Sequence, residues 1–123
     1  MLHRIRKSGI ARNSAAEHAL LFAALGDETR LQLLAKLAGA EPVPISQMSI
    51  SQLTMGSGMT RQAITKHLRV LEKTKIVRCT RQGRESLYAL DPEPLVELRA
   101  YLDQISRAWD DRLLRLKALV ERD

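Results

Sequence analysis

The chain has a single cysteine, Cys79, among its 123 residues. One thiol closes no internal disulfide and cannot by itself build a thiolate cage, so a disulfide scaffold and a cysteine-rich zinc module are both excluded. Aromatic residues are scarce at 3%, namely Phe22, Tyr88, Tyr101 and Trp109. An all-β fold, which draws on aromatic and β-branched side chains, is therefore not expected. Stacking platforms for single-stranded nucleic acid also need aromatics, and the basic part of the chain has only Tyr88. Long apolar runs are missing too. The longest uncharged stretch, Pro42 to Thr60, is broken by Ser, Gln, Gly and Thr, and no apolar segment follows the basic N-terminus. The expectation is a cytoplasmic protein with no membrane span and no signal peptide.

Catalytic and metal-binding patterns are equally thin. No nucleophile with a base, no carboxylate pair and no phosphate loop occurs at usable spacing, so the chain is not expected to be an enzyme. Gly56-Ser-Gly58 lacks the third glycine and the preceding strand of a dinucleotide loop and reads as a turn. His3, His18, His67 and Cys79 are scattered without ligand spacing, so neither a metal nor a cofactor is expected.

What the chain does contain is an ordinary globular mixture, 45% hydrophobic and 28% charged, at a length that suits one domain. Its net charge of +6 is unevenly spread. Residues 1–14 form a basic tail (Arg4, Arg6, Lys7 and Arg12, no acid), and residues 60–90 carry eight basic side chains against Glu72 and Glu85. The segments 15–45 and 91–123 are each net acidic. A local excess of this kind suits a polyanionic partner, of which nucleic acid is the commonest.

Helix signals recur along the domain, residues 15–123. Ala15 to Leu25 is an apolar helical stretch ended by Gly26; Asp27 then caps a helix from Glu28 to about Ala38, with Gly39 as its stop. Pro42-Val-Pro-Ile45 reads as a short extended connection. Ser49-Ile-Ser-Gln52 has capping-box spacing and opens a short helix that ends at Gly56-Ser-Gly58, and Thr60 caps a longer helix to about Lys73. A short helix, a glycine-containing turn and a longer helix are the parts of a helix-turn-helix. Ile76 to Arg81 and Glu85 to Leu90 read as strands of a hairpin turning at Gln82-Gly83-Arg84. Asp91 as N-cap and Pro92 as first residue then start a last helix, residues 92–122. Its apolar residues, Leu95, Leu98, Leu102, Ile105, Trp109, Leu113, Leu116 and Val120, step by three, four, three, four, four, three and four. They form one stripe, too long for so small a core to cover, and predict a dimer seam.

The Thr60 to Lys73 helix separates cleanly by face. At 100° per residue Arg61, Gln62, Thr65, Lys66, Arg69 and Lys73 share a sector of about 140°, opposite Ala63, Ile64, His67, Leu68, Val70 and Leu71. The polar set suits a major groove, since Arg and Lys donate to guanine, Gln pairs with adenine and Thr bonds an edge or touches a thymine methyl. Arg78, Arg81 and Arg84 around the hairpin turn make a basic finger suited to a phosphate backbone or a minor groove. The competing reading is a winged-helix protein-interaction module without DNA binding, which would need no Arg/Gln/Thr/Lys array.

Three segments carry a family resemblance: Phe22-Ala-Ala-Leu-Gly-Asp-Glu-Thr-Arg-Leu31, Thr60-Arg-Gln-Ala-Ile-Thr-Lys-His-Leu68, and Arg81-Gln-Gly-Arg-Glu85 with Tyr88 and Leu90. In this order, over residues 15–122, the chain resembles the ArsR/SmtB family of bacterial winged-helix repressors. Trp109-Asp-Asp-Arg112 with Leu113, Leu116 and Lys117 further resembles a branch often encoded beside START-like (SRPBCC) proteins. The resemblance implies a mainly α fold with a small β-hairpin wing, and a homodimer built from the first and last helices that represses transcription from a double-stranded operator. Base readout is expected from Arg61, Gln62, Thr65 and Lys66, which lie on the first half of the helix where N-terminal residues meet base edges, and phosphate or wing contacts from Thr60, Arg69, Arg81 and Arg84. The resemblance places the dimer interface on Leu21, Leu98, Leu102, Ile105, Trp109, Leu113 and Leu116. Two departures stand out. Gln52-Leu-Thr54 occupies the position of the cysteine pair of the family's metal sensors, and the last helix has no histidine. Lys75 stands where the family usually has Gly after the recognition helix. His67 matches a family histidine and, on the apolar side of its helix, is expected to be a hydrogen-bonded core residue; Cys79 is expected to be a small buried strand residue.

Overall fold

A computed structural model of the chain describes residues 15–39 and 47–122. The basic tail, residues 1–14, and the extended connection Pro42–Ile45 lie outside the described residues.

Each helix begins or ends where the local chemistry dictates. Helix α1 spans Ala15–Leu25, and the Gly26 N–H closes its last turn on Ala23 O at 3.1 Å. Helix α2, Glu28–Ala38, is capped by Asp27, whose extended backbone (φ −140°, ψ 131°) aims its carboxylate at the Arg30 N–H, and it ends at Gly39 with φ 74°. Helix α3, Ile50–Thr54, has the full capping box: the Gln52 N–H donates to Ser49 Oγ at 3.2 Å and the Ser49 N–H donates to Gln52 Oε1 at 2.9 Å. Helix α4, Arg61–Lys73, is capped by Thr60, whose Oγ1 accepts from the Ala63 N–H at 3.1 Å. Such side-chain caps satisfy N–H groups that a helix leaves unpaired at its start, each contributing about 1 kcal/mol.

The strands follow with two differences from the sequence reading. Strands β2, Val77–Gln82, and β3, Glu85–Leu90, pair antiparallel across a turn in which Gly83 has φ 62°. Ile76 stands outside the ladder as a fully buried side chain, its N–H on Leu71 O and its carbonyl accepting from the Asp91 N–H at 2.8 Å. A third strand, β1 at Met48–Ser49, pairs with the free edge of β3, giving the order β1-β3-β2. Two residues carry no period, so nothing in the sequence announces this strand; the open edge of β3 recruits it.

The last helix, α5, covers Glu93–Val120, one residue later than expected at its start. Pro92 occupies the cap position, and Asp91 reaches forward from one residue earlier to accept the Glu93 N–H at 3.1 Å. At about 1.5 Å per residue these 28 residues span roughly 42 Å.

The core is one cluster. Leu33, Leu34 and Leu37 of α2, Leu53 of α3 and Ile64, Leu68 and Leu71 of α4 meet Ile76, Val77 and Tyr88, with Leu21 and Ala24 of α1 and Leu98 of α5 closing it. At roughly 1.5–3 kcal/mol for each buried large aliphatic side chain, this cluster is the main stabilising term. Beyond Tyr101 every residue of α5 through Val120 is exposed, so the core holds only the first part of that helix.

Candidate nucleic-acid interface

The amphipathic division of α4 decides what it can present. Ile64, Leu68 and Leu71 are fully buried, which turns Arg61, Gln62, Lys66 and Arg69 outward, all of them exposed. Thr65 is half-buried, its hydroxyl donating to Arg61 O at 2.8 Å, which fixes the rotamer and leaves the oxygen lone pairs and the methyl for a partner. Thr60 is exposed and already engaged as the cap. Arg81 and Arg84 flank the Gly83 turn and are exposed at the tip of the hairpin. The hairpin packs against α4 through β2, so the polar face of α4 and the basic tip belong to one body.

Arg78 is not part of that tip. Its Nε lies 3.2 Å from Asp91 Oδ2, pinning the root of the hairpin to the start of α5. The sequence put three arginines in one finger; the structure leaves Arg81 and Arg84 at its tip and places Arg78 at its root, in a surface ion pair with Asp91.

Contacts that position the helix-turn-helix had no place in the sequence reading. The Arg30 guanidinium donates from Nε to Ala24 O at 2.6 Å and from Nη2 to Ala23 O at 3.2 Å, closing the C-terminal turn of α1. Its Nη1 lies 3.1 Å from His67 Nδ1 on the inner side of α4. Asp27 Oδ1 is 3.8 Å from the same nitrogen, and its carboxyl is held below the ordinary range first by the Arg30 backbone N–H. Lys36 Nζ donates to Leu53 O at 3.0 Å and Met55 O at 2.8 Å, neutralising the end of α3. The three-residue step from Asp27 to Arg30 after a helix stop was the available signal for the first set; Lys36 gave none. His67 is hydrogen-bonded, as expected, and sits at the half-buried edge of the core.

Cys79 is half-buried against the core, facing Tyr88 across the hairpin, and burial followed by the neighbouring thiol pushes the Tyr88 hydroxyl up to about 12. Among the described residues no three His, Cys, Asp or Glu side chains group as a metal site. No helix among them is long and apolar enough to cross a membrane.

The residues assigned to a dimer seam divide into two groups. Leu21 and Leu98 are buried inside the chain's own core, so their apolar surface is already used. Leu102, Ile105, Trp109, Leu113 and Leu116 are exposed, Trp109 at 58%.

Comparison with known proteins adds independent findings. No family model matches the chain. Over 79 residues it is 37% identical to an uncharacterized HTH-type transcriptional regulator of Bacillus subtilis, YuzN, covering 63% of this chain and 86% of that protein. It is similar to the solved ArsR-like transcriptional regulator from Rhodococcus sp. RHA1, with 35% identity, a TM-score of 0.76 and coverage of 88% of this chain and 94% of that one. It also shares its fold with a homodimeric winged helix-turn-helix DNA-binding domain from Mycobacterium bovis, at 20% identity, a TM-score of 0.57 and 88% coverage of each chain.

Proposed function

The chain belongs to the ArsR family of winged helix-turn-helix transcriptional regulators, and on that footing we propose that it acts in the cytoplasm as a homodimeric repressor, its own gene among its targets, on an imperfect palindromic operator. The observation that carries this reading is the exposed face of α4. Arg61, Gln62, Thr65 and Lys66 stand on the first half of the helix, where side chains meet base edges in the major groove. Thr60, Arg69, Arg81 and Arg84 surround them as phosphate and wing contacts, which position the helix without reading sequence. The exposed apolar face of α5 favours a dimer, and a dimer explains a palindrome: two recognition helices related by a two-fold axis enter successive major grooves about 34 Å apart. The interaction-module alternative loses ground because its relatives are transcriptional regulators and because the exposed sector of α4 carries no acid before Glu72. No metal, cofactor or catalytic activity enters this reading.

Selection of bound fragments from random double-stranded DNA by the purified protein tests the proposal. The expected product is a single motif with inverted half-sites about one turn apart. Recovery of fragments with no shared sequence would overturn it.

A further inference from the structure

A cavity of about 280 Å³ opens between α2 and the turn that joins α3 to α4. Its floor is apolar, formed by the buried side chains of Leu33, Leu53 and Ile64. Its rim is polar, with Thr29, Gln32 and Lys36 from α2 and Ser57 from the turn. Among the described residues that line it Lys36 is the one ionisable side chain, so the cavity has a positive end and no carboxylate wall. The volume lies just under the usual ligand-pocket range of about 300–1,000 Å³, which suits a single ring or a short branched chain.

The rim offers donors. Lys36 Nζ gives two of its three protons to Leu53 O and Met55 O, and the third has no partner among the described residues. Ser57 Oγ accepts from the Met59 N–H at 3.0 Å, which leaves its own hydroxyl proton to donate. An ammonium and a hydroxyl match the acceptor-only oxygens of a carboxylate, and the charged pair is the stronger of the two bonds. An amine head would meet like charge there, and a neutral head would gain no ion pair. We propose that this cavity binds a small carboxylic acid with a compact aliphatic body, and that the bound anion releases DNA; the release rests on the DNA-binding reading above and names its regulation.

The cavity's position gives the anion its leverage. Ile64 lines it from the buried side of α4, opposite Arg61, Gln62, Thr65 and Lys66, so an occupant does not compete with DNA for the same atoms. It acts instead on what holds the helix-turn-helix. Two polar ties from α2 border the cavity: Thr29 Oγ1 donates to Met59 Sδ at 3.5 Å, and Lys36 holds the end of α3 at 2.8 and 3.0 Å. A carboxylate is a stronger acceptor than a backbone carbonyl and draws the ammonium away from α3. An aliphatic body seated against Leu33 and Ile64 then fills the space between α2 and α4. The helix pair is freed from its position on α2, and ligand and operator oppose each other with a reciprocal coupling.

Cyclohexanecarboxylate tests the proposal on the full chain, with cyclohexanecarboxamide and cyclohexylmethylamine as its neutral and cationic counterparts. In an amide NMR titration without DNA, at constant ionic strength, the carboxylate is expected to shift the Gly56, Ser57 and Ile64 signals saturably. It should bind at least about tenfold more tightly than the amide, and the amine should not bind. Lys36→Met should bring carboxylate and amide to equal affinity, and Lys36→Arg should keep the preference. Should Lys36→Met fail to fold, the comparison of the three compounds on the unmodified protein still decides. No saturable shift, shifts that map away from the cavity, or equal affinity for carboxylate and amide would overturn the site. With the carboxylate saturating, the operator Kd should rise about tenfold, and an unchanged Kd would overturn the release. A protein that binds the carboxylate but selects no operator would overturn the DNA-binding reading and leave the site standing.

Discussion

Arg30 and His67 meet at 3.1 Å, and through this contact the C-terminal turn of α1 is tied to the inner side of α4. The same guanidinium closes the Ala23 and Ala24 carbonyls, so one planar group on α2 sets the position of both neighbouring helices. If α4 reads DNA as proposed, it must be held at a fixed angle to the rest of the fold, and Arg30 joins α2 to both α1 and α4.

Arg30→Ala is therefore expected to destabilise the fold by about 2 kcal/mol, the scale of a part-buried charged hydrogen-bond donor. Arg30→Lys should recover less than half of this, since an ammonium cannot reproduce the three-way fork. Urea unfolding midpoints at constant slope provide the measurement; a Lys variant equal to the unmodified protein would show that the charge alone suffices.

Asp27 makes acid stability depend on one carboxylate. Its pKa is lowered from the ordinary 3.8, chiefly by the Arg30 backbone N–H, which outweighs the desolvation cost with lesser help from the His67 and Arg30 charges. A depressed carboxylate contributes stability that is present above its unfolded value and lost as pH falls through the folded one. As pH falls below about 4, the unmodified protein should lose more stability than Asp27→Asn, which caps without titrating. Identical acid limbs for the two proteins would remove Asp27 from that role.

Lys75 has φ 66°, a left-handed backbone that costs a side-chain-bearing residue about 1 kcal/mol. Its N–H still closes on Glu72 O at 3.0 Å, so the turn from α4 into the hairpin is made despite the strain. Lys75→Gly is expected to stabilise the protein by roughly 0.5–1 kcal/mol, and Lys75→Val to destabilise it. Thermal unfolding distinguishes the two signs.

On DNA the two classes of contact should separate. Arg61→Ala or Gln62→Ala should cost about 1–3 kcal/mol per half-site and relax preference at particular bases. Arg81→Ala or Arg84→Ala should weaken all sequences alike and flatten the salt dependence by about one counterion per subunit. Binding isotherms over a salt series with operator and scrambled DNA read both effects; unchanged base preference in the first pair would take base readout away from α4.

Trp109→Ala should weaken the dimer by about 3 kcal/mol if the ring is fully covered by the second copy. Sedimentation equilibrium measures the change, and an unchanged dimer constant would leave Trp109 on an open surface.

Much of this architecture was legible because its signals are local. Asp27, Ser49 with Gln52, and Thr60 cap helices through atoms no more than three residues away, and Gly83 turns the hairpin through its own φ. The polar face of α4 likewise follows from the helical period, as does the apolar stripe of α5. Contacts across the fold obey no such period. Met48–Ser49 becomes a strand only because β3 leaves an edge open, and Arg78 finds an ion-pair partner only because Asp91 returns beside it. Leu98 and Leu102 are indistinguishable in the stripe, yet one is 3% exposed inside the core and the other 48% exposed outside it. Periodicity determines which face of a helix is apolar; where the rest of the chain runs out, and so which part of that face is left for another molecule, is decided only when the helices pack.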